Sequence, residues 1–238
     1  MPYSKQDAFR QFENWSAGYD SSVLQKLLFG PSHSRIAAEL PVAEPVQLLD
    51  VGCGTGRFME LVLVEGRAAK VWGLDISKSM LTHGKQRLRR YNGSAHIVQG
   101  DAERLPFPSD YFDVVTCSNC FHHFPDQQQA VCEMFRVLRD GGRVMLIDGY
   151  RDNLWGRFIY DFCVVRVEGP VHHASARRFQ ELMTTAGFTD VWQEVTLGLA
   201  PFILTVGTAR KRCADDLDRQ RVLSTQPLST PEAVRRAA

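Results

Sequence analysis

A glycine-rich turn placed directly after a short apolar run constrains this chain more than any other feature. Residues 46–51 read VQLLDV, and the segment Asp50-Val51-Gly52-Cys53-Gly54-Thr55-Gly56 carries the chain from that run into a helical pattern. A continuous apolar run ending at glycines is what a buried parallel strand requires. Glycines at the strand–helix junction let the backbone come close to a ligand at the carboxyl edge of a sheet. Such a turn also serves as a tight turn with no ligand, so its meaning depends on the residues downstream of it.

Further strands are predicted over 70–74, 96–98, 112–117 and 144–147, with helices between them after Thr55, after Ser77 and over 126–139. Ser77 caps its helix, and Asp140-Gly141-Gly142 is expected to stop the third. This β-α-β-α-β-β-α-β rhythm argues for a parallel sheet covered by helices. A helix over 175–186, closed by Gly187, precedes two last strands at 191–197 and 202–209. The short turn Gly198-Leu199-Ala200-Pro201 makes those two an antiparallel hairpin at the sheet edge. The expected fold is therefore α/β: a Rossmann-like, seven-stranded sheet, mostly parallel with an antiparallel C-terminal hairpin, with helices on both faces. Residues 1–45 read as an N-terminal helical cap, with candidate helices at 20–29 and 31–40 and Pro31 in a first turn. The main domain spans 46–213, with 151–174 as a possible lid. Residues 214–238 are polar and without period, and read as a loose tail.

Composition enters by exclusion. The chain has 238 residues, 44% hydrophobic, with a formal net charge of +1. That balance predicts no nucleic-acid partner and no polybasic membrane contact. There is no basic-then-apolar leader pattern and no apolar run long enough for a bilayer, which predicts a soluble cytoplasmic protein without integral membrane association. The six cysteines lie within strand-like and helix-like segments and read as reduced thiols.

Two acids sharpen the glycine turn. Asp75 ends the second strand, where it can accept both hydroxyls of a ribose. Asp101 follows the third, in Gly100-Asp101-Ala102, where a carboxylate can accept from an exocyclic amine and Ala102 offers a backbone N–H. At this point the motifs LLDVGCGTGRF, GLDIS, GDAERLPFPSDYFDVV, HHFPD and RVLRDGGRVMLID resemble the class I S-adenosylmethionine-dependent methyltransferases, specifically the small-molecule type related to the ubiquinone/menaquinone biosynthesis methyltransferases. The resemblance is close over residues 46–150 and looser to 210. It implies S-adenosylmethionine as cofactor. Asp50, Gly52, Cys53, Gly54 and Gly56 would hold its methionine part, Asp75 and Ile76 the ribose, and Gly100, Asp101 and Ala102 the adenine. Met80 would pack nearby, and Cys117, Ser118 and Asn119 would approach the amino group and methyl. Tyr19 matches an aromatic that closes over the cofactor in family members.

Other readings compete. A dinucleotide fingerprint needs its third glycine one residue later, where Arg57 stands. Cys117-Ser118-Asn119-Cys120, followed by His122 and His123, could bind zinc or exchange disulfides, but no second cysteine pair accompanies it, and no metal is expected. His123 matches a histidine that is usually structural in the family. The segment 154–167 places Trp155, Phe158 and Phe162 at helical spacing, either as a core-facing helix or, with Tyr150, as an apolar wall for the acceptor. His122, His172 and His173 are the candidate bases, since a neutral imidazole suits proton removal near pH 7. The expected activity is methyl transfer to a small apolar or aromatic acceptor by in-line displacement. The competing class is a cofactor-binding protein without transferase activity that acts in assembly or regulation.

Overall fold

The computed structural model describes Glu13, residues 23–41, 46–169, 171 and 173–211. Seven strands form one sheet in the order β3-β2-β1-β4-β5-β7-β6. They are β1 (Val46–Val51), β2 (Ala68–Asp75), β3 (Ala95–Gln99), β4 (Phe112–Ser118), β5 (Leu138–Gly149), β6 (Phe188–Thr196) and β7 (Phe202–Ala209). Strands β1 to β5 pair in parallel, while β7 runs antiparallel between β5 and β6.

Period-two alternation divides the buried side chains between two layers. Leu49, Val115 and Leu146 face one layer, closed by α4 (Gln127–Val137) and α5 (Ala176–Ala186) through Met134, Phe179 and Leu182. Leu48, Val114, Met145 and Leu204 face the other, closed by α1 (Val23–Ala38), α2 (Arg57–Val64) and α3 (Lys78–Leu88) through Ile36, Phe58 and Leu81. Reversal of strand order occurs between β1 and β4. The carboxyl ends of both strands therefore open onto one crevice, the usual ligand position in such sheets.

Two local expectations are corrected. The two helices expected at 20–29 and 31–40 are one helix, α1, with Pro31 inside it. Gly30 precedes the proline, and lacking a Cβ it escapes the clash that normally drives the preceding residue out of helical geometry. The glycines at 141–142 do not stop α4. The helix ends at Val137, and the glycines form an irregularity inside β5, between the Phe112–Leu138 and Val114–Arg143 pairings. Gly141 there adopts φ 75°. Two caps behave as expected: Ser77 accepts the Met80 N–H, and Gly187 closes α5 in left-handed geometry; Ser175, expected inside that helix, is its N-cap and accepts the Arg178 N–H. Among the described residues no helix is long and apolar enough to cross a membrane.

Candidate active site

The carboxyl ends of β1, β2, β3 and β4 build one groove. The glycine turn is tied down by backbone bonds: the N–H groups of Gly52 and Cys53 donate to the Leu74 carbonyl at 2.7 and 3.0 Å. Gly52, Gly54 and Gly56 all have positive φ, near 75°, 52° and 74°. At Gly52 a Cβ would sit 2.2 Å from Cys120 Sγ, whereas at Gly54 it would enter open space. Gly54 is therefore the point where bare backbone faces the cavity. Gly56 packs under Leu88, closing α2 against α3.

Asp75 is buried at the end of β2 and accepts the Gly54 N–H at 2.8 Å on one oxygen and the Ser77 N–H at 2.9 Å on the other. Each oxygen keeps acceptor capacity for a ligand hydroxyl. Burial raises its pKa, opposed by those backbone donors. Glu13 reaches the same corner, accepting from Ser77 Oγ and the Ser79 N–H. Asp101 accepts the Glu103 N–H at 2.9 Å, an Asx-type turn that fixes the loop after β3. Asp50 is buried and accepts from Thr116 Oγ1 at 2.8 Å. Burial pushes its pKa up to about 7, and Asp75 adds to the push while Thr116 opposes it.

Two adjoining cavities share Gly52, Gly54, Ser118 and Asn119 as walls. The larger, about 530 Å³, is also lined by Asp50, Cys53, His33, Ser34, Arg57 and Phe58. The smaller, about 80 Å³, is lined by Asp75, Ile76, Met80, Gly100, Asp101 and Ala102, with His123, Phe124 and Pro125. Asn119 takes a left-handed φ of 54°, donates its backbone N–H to the Ile147 carbonyl, and donates Nδ2 to Ser32 Oγ at 2.7 Å. That last bond fixes α1 over the turn after β4. Burial lowers His33 to about 4, with Arg57 adding to the effect, so this wall residue stays neutral at pH 7.

Of the cofactor residues expected from sequence, those within the described residues line this groove, except Gly56 and Cys117, which stand behind its wall. Cys117 Sγ lies 3.2 Å from Cys120 Sγ. Burial raises the Cys117 thiol; the Cys117 hydrogen bond and burial raise Cys120. Two thiols held protonated make poor nucleophiles. Tyr19 and His172 lie outside the described residues.

The residues expected on the acceptor side are distributed differently. Residues 154–168 form an α turn (Leu154–Arg157), a π turn (Phe158–Val164) and a second α turn (Val165–Glu168). Trp155, Phe158 and Phe162 are 47%, 49% and 51% exposed, so the segment does not present them to the core as a buried helix would. They stack on one another at 5.7 and 5.6 Å, with the Arg166 guanidinium 3.7 Å above Phe162. Among the described residues these rings, and Tyr150, line neither cavity. His122 and His173 are buried behind the wall, where both face Asp148. Sequence reasoning did not single out His33, Glu103, Cys120, Phe124 or Pro125 as wall residues, and it read His123 as structural. The one available signal was the HHFPD motif between β4 and α4.

Comparison with known proteins agrees with this geometry. The methyltransferase-domain family profile matches residues 49–146. The ubiquinone/menaquinone biosynthesis C-methyltransferase UbiE of Vibrio parahaemolyticus is 38% identical over 147 residues, 58% of this chain and 55% of that protein. The chain thus spans about half the length of that relative. UbiE of Nitrosospira multiformis is 31% identical over 196 residues, 71% of this chain and 80% of that protein. An S-adenosylmethionine-dependent methyltransferase of Thermotoga maritima shares the fold, with a TM-score of 0.69 and 21% identity over 85% of this chain and 100% of that one.

Proposed function

The chain belongs to the class I S-adenosylmethionine-dependent methyltransferases, and from that premise we propose that it transfers a methyl group to a small apolar or aromatic acceptor. The reading rests chiefly on one observation: the exposed backbone at Gly54, the Asp75 carboxylate and the Asp101–Ala102 turn are walls of the same cavity. The residues present fit the cofactor. Asp50 suits an ammonium group, Gly52 and Gly54 allow close approach, Asp75 suits a ribose diol, and Asp101 with Ala102 suits an adenine edge.

The cofactor supplies an electrophilic methyl on a sulfonium, already a good leaving group. What remains for the protein is alignment and exclusion of water. Ser118 and Asn119 form the partition shared by the two cavities, and Asn119 is held rigidly by Ser32 and Ile147. The stacked rings of Trp155, Phe158 and Phe162 line neither cavity, but about half of each is exposed, apolar area of the kind that small-ligand sites use.

Calorimetry with S-adenosylmethionine and S-adenosylhomocysteine, followed by transfer of labelled methyl into a metabolite extract, tests the proposal. Binding with turnover supports it. Binding without turnover on any extract favours a cofactor-dependent assembly or regulatory protein. No binding of either ligand at millimolar concentration defeats it.

A further inference from the structure

A formal net charge of +1 for the whole chain hides one local concentration of cations. Residues 78–90 run through α3 into a 3₁₀ turn (Arg89–Tyr91). They carry Lys78, Lys85, Arg87, Arg89 and Arg90, with no aspartate or glutamate. A hollow of about 450 Å³ opens there, lined by Glu60 of α2 and by His83, Gln86, Arg87, Arg89 and Arg90. Glu60 is the one carboxylate among these. Its Oε2 accepts from Arg87 at 3.1 Å and its Oε1 from Arg90 at 2.6 Å. The hollow adjoins the larger cavity, since Glu60 and Arg87 line both. Arg87 Nε also donates to the Thr55 carbonyl, inside the glycine turn, at 2.9 Å. Gly84 lets α3 lie close against that turn: a Cβ there would stand 3.4 Å from the Gly54 carbonyl oxygen.

We propose that this hollow is a binding subsite for a phosphate group, placed at the outer end of the larger cavity and held by Arg87, Arg89 and Arg90. The group is either a free phosphate or one carried by the methyl acceptor, whose apolar part then lies along Phe58, Leu61 and Val64 on the cavity wall. Only the second source rests on the methyltransferase reading.

Charge and geometry both point to phosphate. Three guanidiniums against one carboxylate leave two positive charges in excess in the lining. A phosphate monoester carries about −1.5 to −2 at neutral pH and offers three acceptor oxygens. Guanidinium forks match those oxygens in pairs, and Gln86 and His83 add neutral donors beside them. Glu60 holds Arg87 and Arg90 in orientation before the ligand arrives and competes with it for the same N–H groups. The helix dipole favours cations in the last turn of α3, which accounts for their presence there. It does not account for their convergence with Glu60 on one hollow that opens from the cofactor cavity. Nucleic acid is the less fitting occupant, because its affinity comes from cations spread along many phosphates, and here they surround one space.

Calorimetry of the full chain at low ionic strength, free and with S-adenosylhomocysteine, tests this with inorganic phosphate, 1-naphthyl phosphate and 1-naphthol as probes. Both phosphates should bind saturably at millimolar concentration or below. Arg89→Gln and Arg90→Gln, on the surface, should each weaken them about tenfold and leave 1-naphthol unaffected. Glu60→Gln removes the competing carboxylate and should tighten both phosphates about threefold or more. Equal affinity for the two phosphates identifies a free anion as the ligand. Tighter binding of 1-naphthyl phosphate, by more than its naphthyl group gains in 1-naphthol, identifies a phosphate carried by the acceptor. No saturable binding of either phosphate overturns the proposal, as does binding that survives both arginine substitutions or that Glu60→Gln fails to tighten. So does a duplex DNA that binds more tightly than either probe and displaces them. Failure to bind S-adenosylhomocysteine would sink the methyltransferase reading instead, and phosphate titration of the free chain would still decide this one.

Discussion

The two sides of the site are made in different ways. On the cofactor side, between β1 and β4, the working groups are mostly backbone or belong to short consecutive motifs. Gly52 and Gly54 hold positive φ, Leu74 anchors the turn, Asp75 is fixed by the backbone N–H groups of Gly54 and Ser77, and Asp101 by that of Glu103. On the side proposed for the acceptor, side chains converge from distant positions. His122 meets Asp148 across 26 residues, and the half-exposed Trp155, Phe158 and Phe162 stack on a π turn, a distortion often found at functional sites. A backbone-defined site tolerates little change at few positions. A site of converging side chains distributes its sensitivity more widely and more weakly.

The largest effect should follow from Gly52→Ala. The new Cβ meets Cys120 Sγ at 2.2 Å and the residue must keep a φ of 75°. Left-handed strain and overpacking together should cost about 2–5 kcal/mol, read as a fall in Tm, with cofactor binding lost. Equal stability with wild-type affinity would erase the contrast between the two sides.

Asp75→Ala should come next. It removes a ribose acceptor and strands the N–H groups of Gly54 and Ser77. Cofactor affinity should fall about tenfold or more, and stability by about 1–3 kcal/mol. Calorimetry and denaturant unfolding read the two separately. A stability loss with unchanged affinity would make Asp75 only a cap.

A pH dependence of intermediate size should come from Asp50. Its pKa is raised to about 7, and an ammonium beside it favours the ionised form, so binding releases a proton. S-adenosylhomocysteine affinity should be flat above that value and weaken about tenfold per unit below it. The same raised pKa means that Asp50 opposes folding as pH rises from the ordinary carboxylate range through 7. Asp50→Asn should flatten both dependences.

The smallest effects belong to Phe158→Ala and Phe162→Ala. Both rings are about half exposed, so stability should change by only about 0.5 kcal/mol. If the stack contacts the acceptor, kcat/KM should fall several-fold with cofactor affinity unchanged. No change in either would remove these rings from the acceptor side.

The legibility of the chain follows the same division. Strands β1 and β7 begin and end where their apolar runs do, and Ser77, Ser175 and Gly187 cap as their chemistry requires. Pro31 and Gly141 misled because sequence rules treat proline and paired glycines as stops. Here Gly30 relieves the proline, and the sheet absorbs the glycines as a strand irregularity. His123 was hidden for another reason. Adjacent histidines look alike in sequence, and only the 3₁₀ turn at Phe121–His123 sets one on the cavity wall and the other against Asp148.

By itself the sequence determined the sheet and its carboxyl edge, because apolar periodicity and glycine placement act over a few residues and need no partner; the ligand class of that edge came from the resemblance of its motifs to a known family. Tertiary structure alone decided that α1 docks through Ser32 on Asn119, that Asp148 lies beneath His122 and His173, and that three aromatic rings stack in the open. Those outcomes depend on distances between residues far apart in the chain. They are fixed only when the two layers pack against the sheet, and no local pattern encodes them.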